Sequence, residues 1–137
     1  MNTLKNFLII GLVALFLNII WEFSHHFLYI DLSGIQKYLH LIIASFTDML
    51  IILGIFMIIS LKNRNFNWMK NPSKLDYFLV VLLGFTIAIL IEIINLRLGR
   101  WMYTDTMPTI FGIGISPLIQ FSITGIVSLI IMRRLEK

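Results

Sequence analysis

Four long apolar stretches constrain the fold of this chain more than any other feature. They cover residues 7–30, 40–61, 75–96 and 108–132. Each is long enough to cross a hydrocarbon core of about 30 Å as a helix, at a rise of about 1.5 Å per residue. Backbone polar groups in lipid need partners within the protein, which favours helices. The sequence therefore predicts an all-α polytopic membrane protein, a four-transmembrane-helix bundle with residues 1–137 in one integral membrane domain.

The composition excludes several other classes of protein. Of the 137 residues, 58% are hydrophobic and 13% are charged, against about 45–50% and about 25% in an average soluble domain. Cysteine is absent, which removes disulfide-stapled folds, thiolate metal sites and cysteine nucleophiles. The first apolar stretch continues past Trp21 without a small-residue cleavage site. We therefore expect a retained helix there and not a signal peptide.

Lysine and arginine are distributed unevenly between the connections. Eight of the eleven lie near the N-terminus, in the connection 62–74 and at the C-terminus, and the other side has only Lys37, Arg97 and Arg100. The positive-inside rule predicts that both termini are cytoplasmic, in a multi-pass protein of the cell membrane. The net charge of +4 is then a topology signal, and we expect no binding to nucleic acid.

Polar side chains interrupt every apolar stretch. They are Asn18, Glu22, His25 and His26 in the first, Asp48 in the second, Glu92 and Asn95 in the third, and Gln120 in the fourth. Counting from the ends of the stretches places all three carboxylates in the outer half of the bilayer. A charge at the bilayer centre costs at least about 2.5 kcal/mol, so these groups need partners. We expect a shared polar cavity; alternatively, the side chains only fix the helix packing.

The connection after the third stretch is predicted to contribute the mouth of this cavity. Its polar and aromatic side chains are Arg97, Arg100, Trp101 and Tyr103. A guanidinium group can bind a headgroup phosphate or carboxylate with two hydrogen bonds, and it could also neutralise Glu92 or Glu22. The alternative is that the arginines simply extend to the membrane interface beside an aromatic belt.

The segment Gly112-Ile-Gly-Ile-Ser-Pro117 lies near the start of the fourth stretch. Proline removes a backbone N–H and disturbs the carbonyl four residues earlier, so we expect a kink near residues 112–117. Carbonyl groups released there could line the cavity. Alternatively, the small residues of this segment allow close helix packing.

The polar side chains suit general acid–base chemistry. One protonated carboxyl group can protonate an alkene or an alcohol, and an ionised one can stabilise a cation or remove a proton. We assign catalytic roles to Glu22, His25, Asp48 and Glu92, and substrate-binding roles to Asn18, His26, Asn95, Arg97, Arg100, Trp101, Tyr103 and Gln120. This chemistry needs no cofactor. As an alternative, the four catalytic candidates could bind a metal, because Glu22-x-x-His25 has the spacing used in di-iron bundles, although it occurs once.

The segment 92–118 resembles membrane-embedded carotenoid enzymes, namely the heterodimeric-type lycopene cyclases and the carotenoid hydratases. The shared pattern is an acid (Glu92), an aromatic-x-Tyr element (Trp101-Met-Tyr103), then Gly112-Ile and the pair Pro117-Leu. Lycopene cyclases follow Pro-Leu with paired glutamates, whereas this chain has Ile119-Gln120. The resemblance implies a cofactor-free enzyme that acts on a polyene or prenyl chain, with Glu92 as the acid.

Two other classes of function stay open at this point. A small proton-coupled transporter could use Glu22, although three carboxylates and two histidines favour an enzyme. A non-catalytic membrane subunit could use the same polar side chains to bind the helices of a partner. In each case we expect contact with membrane lipid, and for the enzyme a hydrophobic small-molecule substrate. A homo-oligomer is compatible with every alternative, because four helices alone bury little surface.

Overall fold

Four long helices make up most of the protein. The computed structural model describes residues 3–137, and it is 75% helical. The helices are α1 (Thr3–His25), α2 (Lys37–Asn63), α3 (Lys74–Arg97) and α4 (Ile115–Leu135). Each is long and apolar enough to cross a membrane, and large apolar side chains such as Leu12, Phe46 and Leu90 are exposed along them. An apolar exterior of this kind faces lipid, so the predicted four-helix membrane bundle is confirmed.

Short strands occupy the connections at one end of the bundle. They are β1 (Tyr29–Asp31), β2 (Trp101–Tyr103), β3 (Thr109–Ile110) and β4 (Ile113–Gly114). β1 pairs with β2 in antiparallel orientation, with Tyr29 opposite Tyr103 and Asp31 opposite Trp101. Because side chains alternate between the faces of a strand, these four lie on one face of the small sheet. This sheet joins the connection after α1 to the connection after α3.

The predicted helix boundaries hold for the second and third spans. They are wrong for the C-terminal end of the first span and the N-terminal end of the fourth. The second and third spans agree with α2 and α3 to within three residues at each end. The first helix ends at His25 instead of residue 30, because a 3₁₀ turn (His26–Leu28) and β1 follow it. The fourth begins at Ile115 instead of residue 108, because β3 and β4 form a hairpin before it.

Pro117 does not interrupt α4. It is the third residue of the helix, which begins after the N-cap residue Gly114. Backbone N–H groups in the first turn of a helix have no partner within the helix, so a proline there removes no hydrogen bond. The kink expected near residues 112–117 is therefore wrong, and the change of direction lies in the hairpin that precedes the helix.

The apolar core fills the half of the bundle that contains the chain termini. Buried side chains there include Ile10 of α1, Phe56 of α2 and Met132 of α4. At the same end, Lys5 pairs with Glu136 at 2.6 Å. The opposite half of the bundle is packed less completely, and it contains the cavity described below.

A glycine brings α3 and α4 into close contact. A Cβ atom at Gly84 would lie 2.8 Å from the backbone nitrogen of Ser122 and 3.0 Å from the carbonyl carbon of Phe121. Nearby, the Ser122 hydroxyl donates a hydrogen bond to the Val81 carbonyl at 2.9 Å. Small residues at such crossings allow the van der Waals contact that holds membrane helices together.

The substitution Gly84→Ala is expected to destabilise the bundle. The added methyl group meets backbone atoms that cannot move aside, so α3 and α4 must separate, at a cost of about 2 kcal/mol. Thermal unfolding of the protein in detergent measures this loss. Gly54→Ala is the matched control, because no atom lies within 4 Å of a Cβ there and alanine favours a helix by about 1 kcal/mol over glycine. Equal unfolding temperatures for the two variants would contradict the close contact.

Candidate functional site

A cavity of about 580 Å³ lies between the four helices in the half of the bundle away from the termini. Its volume is within the range of about 300–1,000 Å³ that is common for small-molecule sites. The ionisable and polar side chains that line it are Glu22, His25, His26, Tyr29, Asp31, Lys37, His40, Asp48, Glu92, Trp101 and Gln120. Apolar side chains such as Phe27, Leu41 and Ile91 complete the wall. The structure thus brings all three predicted carboxylates to one cavity.

Gln120 of α4 connects three polar side chains from α1 and α2. Its Nε2 atom donates to Asn18 Oδ1 at 3.0 Å, to Glu22 Oε1 at 3.0 Å and to Asp48 Oδ2 at 2.8 Å. Gln120 is only 4% exposed. An amide NH₂ group carries two hydrogens, so the three acceptors share two donors. We refer to Glu22 and Asp48 as the acid pair.

His25 adjoins the acid pair at the end of α1. Its Nε2 atom lies 3.3 Å from Glu22 Oε1, and its Nδ1 atom lies 2.7 Å from the hydroxyl oxygen of Ser116. Both ring nitrogens therefore have protein partners. Because these partners come from α1 and α4, they fix the orientation of the ring, and the imidazole can pass a proton to or from Glu22.

Glu92 occupies a different wall of the cavity from the acid pair. It is buried in α3, and its carboxylate accepts hydrogen bonds from the hydroxyl groups of Tyr29, at 3.4 Å, and Tyr103. Burial, followed by the charge of Glu92, raises the pKa of Tyr29 well above its usual value. Burial and the hydrogen bond to Glu92 likewise raise the pKa of Tyr103. Both phenols therefore keep their protons and stay hydrogen-bond donors to Glu92.

The β1–β2 sheet explains how two distant tyrosines reach Glu92. Tyr29 and Tyr103 are opposite each other in the sheet, and their rings make an edge contact with centroids 5.5 Å apart. The Tyr103 hydroxyl also accepts a hydrogen bond from the Gly114 backbone N–H at 3.0 Å. Two connections and the start of α4 thus hold the Glu92 carboxylate in place.

Several predicted substrate-binding residues lie outside the cavity lining. Asn18 is fully buried and accepts its hydrogen bond from Gln120. Asn95 accepts a hydrogen bond from Arg100 Nη1 at 3.1 Å, and Arg97 and Arg100 are exposed. Neither arginine pairs with a carboxylate within residues 3–137.

Neither Arg97 nor Arg100 is part of the cavity lining, and the alternative in which one of them neutralises Glu92 or Glu22 has no matching ion pair in residues 3–137. The reason is the turn that follows α3, in which Gly99 has a φ of 66°. The backbone leaves the helix there and enters β2 one residue after Arg100, so Trp101 is the first residue of this connection that lines the cavity. Of the other predicted binding residues, His26 and Gln120 line the cavity. Tyr103 donates a hydrogen bond to Glu92 but does not itself line the cavity.

Four polar lining residues near the first connection were not predicted as site residues. They are Tyr29, Asp31, Lys37 and His40. His40 Nδ1 bonds to Asp31 Oδ2, and the Ser33 backbone N–H donates to Asp31 Oδ1 at 2.8 Å. Burial would raise the pKa of Asp31, but the hydrogen bonds from His40 and Ser33 hold it below its usual value. The sequence does contain a signal for His40, since it lies about two helical turns before Asp48 and so on the same side of α2.

The alternative metal site is not assembled in this arrangement. Across residues 3–137, no three histidine, aspartate or glutamate side chains converge in a way that could hold one ion. Glu92 bonds to tyrosines on one wall, and both nitrogens of His25 bond to other side chains. The set Glu22, His25, Asp48 and Glu92 is therefore divided between two local networks.

The fold and the cavity define a polytopic membrane protein with an acidic cavity inside its helix bundle. The chain matches no protein-family model, and neither the curated proteins nor the solved structures contain a match to it.

Proposed function

We propose that this protein is an acid–base enzyme that acts on an isoprenoid or another lipid, and that the acid pair supplies the proton. The observation that carries the proposal is the bonding of Gln120, whose Nε2 atom lies within 3.0 Å of oxygens of both Glu22 and Asp48. No lysine or arginine in residues 3–137 pairs with either carboxylate. Two adjacent negative charges inside a membrane repel strongly, so one of the two carboxyl groups keeps a proton.

Each wall of the cavity then has its own role. The acid pair donates its proton to a double bond or a hydroxyl group of the substrate, which produces a cation, with loss of water in the case of the hydroxyl. Glu92, oriented by its two tyrosines, and the face of the Trp101 ring stabilise that cation. The acid pair, now without its proton, takes one from a neighbouring carbon and restores the starting state. The net reaction is an isomerisation or a loss of water.

The resemblance of segment 92–118 to carotenoid enzymes supports an isoprenoid substrate. Glu92 and Trp101, which carry part of that resemblance, both line the cavity. The helix packing also supports a substrate from the bilayer, since α2 and α3 contact each other less than α1 and α2 or α3 and α4 do. Ala44 and Ala88 line the cavity on that side, and small side chains leave room for a chain to enter between these helices.

The distribution of basic residues completes the proposal. With both termini on the cytoplasmic side of the cell membrane, the half of the bundle that contains the cavity faces the outer leaflet. Membrane lipid is then the direct source of the substrate. Proton transfer between the carboxyl groups of the cavity and the substrate requires no cofactor.

A proton-coupled transporter is the second candidate function. The observation that favours it is the same acid pair, because a carboxyl group that binds and releases a proton can exchange that proton for a cationic cargo. In this case the three carboxylates bind the cargo and no covalent bond of the cargo changes. The two functions therefore predict different chemical results in the membrane.

A comparison of membrane lipids with and without the protein tests the proposal. We expect that expression converts one lipid species into an isomer, or into a product with one water less, and that Glu22→Gln prevents the conversion. Asp105→Asn is the matched control, because Asp105 is exposed and outside the cavity lining. Unchanged lipids together with pH-driven uptake that requires Glu22 would replace the enzyme with the transporter.

A further inference from the structure

We propose that the substrate is an amphiphile with an anionic headgroup, a carboxylate or a phosphate, and that Lys37 binds this headgroup at the mouth of the cavity. The mouth is formed by the first connection and the start of α2, with Asp31, Lys37 and His40 in the lining. The inference rests on the proposed function, because it names the substrate class of the same cavity.

The charges along the lining carry the inference. The acidic side chain at the mouth, Asp31, is already bonded to His40 and to the Ser33 backbone N–H. Lys37 makes no ion pair within the described part of the chain. It does not pair with the carboxylates of the same cavity, which lie deeper in the bundle. The positive charge of its ammonium group is therefore left for a ligand.

The shape of the cavity fixes where the two ends of such a ligand lie. Lys37 and Asp48 are eleven residues apart on α2, which corresponds to about 16 Å along the helix axis. Beyond His40, the lining between them on α2 is apolar and consists of Leu41 and Ala44. A ligand that places an anionic group at Lys37 thus puts a hydrocarbon chain along this wall and a reactive group at the acid pair.

Binding of single-chain brominated lipids to the full-length protein tests the inference without any turnover. Bromine quenches tryptophan fluorescence at short range, and Trp101 lines the cavity, so Trp101→Phe identifies the signal from this site. The probes are a brominated fatty acid, a brominated single-chain phosphate monoester and the brominated alcohol of equal chain length. We expect the two anionic probes to bind more tightly than the alcohol, and the tighter of the two identifies the headgroup.

The variant Lys37→Gln is expected to weaken the binding of the anionic probes by about tenfold or more, as for loss of a charge-assisted hydrogen bond, and to leave the alcohol unaffected. Lys62→Gln is the control, because it removes the same charge from the other end of α2. Equal binding of acid and alcohol, or equal losses in the two variants, would overturn the inference.

The failure of this inference and the failure of the proposed function give different results. Headgroup-dependent binding through Lys37 in a membrane whose lipids never change would retain the anionic ligand and reject the enzyme. Lipid conversion together with binding that ignores the headgroup would retain the enzyme and reject the anionic ligand.

Discussion

Glu22→Gln is expected to reduce the conversion of the lipid substrate by at least about a hundredfold, the lower end of what general acid–base catalysis contributes. The variant amide keeps the shape of the side chain but cannot hold or release the proton of the acid pair. Asp48→Asn should have a similar effect, because Glu22 and Asp48 share the Gln120 amide. The rate of product formation in purified membranes measures both effects.

The fold should persist in both variants, since each new amide can still hydrogen-bond to its neighbours. Thermal unfolding in detergent checks this, and Asp105→Asn provides an acid-to-amide change outside the cavity lining. Full conversion by both Glu22→Gln and Asp48→Asn would show that the acid pair does not supply the proton. Loss of conversion in Glu92→Gln alone would show that Glu92 is the proton donor, as the resemblance to carotenoid enzymes implies.

Gln120→Leu is expected to destabilise the protein by about 3 kcal/mol or more, the range seen when one partner of a buried charged network is removed. Leucine fills the space but donates no hydrogen bond. The oxygens of Asn18, Glu22 and Asp48 then lose the donor that they share. The unfolding temperature in detergent measures the loss.

Thr124→Val is the matched control for Gln120→Leu, one turn further along α4. The Thr124 hydroxyl is buried as well, but it donates only to the Gln120 carbonyl of its own helix, at 2.8 Å. Its loss should cost about 1 kcal/mol or less. If the two substitutions lower the unfolding temperature equally, the Gln120 network does not hold the helices together. Gln120→Asn, which keeps an amide on a shorter side chain, should lie between them.

Sequence length and hydropathy are sufficient to predict the four helices and the similar depth of the two members of the acid pair. A helix in a membrane has a fixed rise and nearly fixed limits, so the position of a residue along the chain gives its depth. Counting from the predicted span ends places Glu22 and Asp48 at a similar depth, although the first helix ends at His25 and not at residue 30. In the folded bundle, hydrogen bonds from Gln120 join these two side chains.

Local patterns could not reveal the parts of the site that depend on contacts between distant segments. Residues 108–114 are apolar enough to continue a helix, yet they form a hairpin with positive φ at Phe111 and Gly112. The contribution of the first connection to the mouth is not predictable from local sequence for the same reason, because Asp31 is positioned by strand pairing with Trp101, about seventy residues away. Hydropathy reports that a segment avoids water, and it does not report what that segment pairs with.

The pairing of β1 with β2 also sets an order for assembly in the membrane. α1 packs most extensively on α2, and α3 on α4, so each adjacent pair can insert as a separate helical hairpin before the pairs associate. β1 belongs to one pair and β2 to the other, so their hydrogen bonds form only when the inserted hairpins dock. Glu22 and Asp48 come from the first hairpin, and Glu92 and Gln120 from the second. Neither half contains the cavity by itself, and the cavity is complete only after the two hairpins have docked.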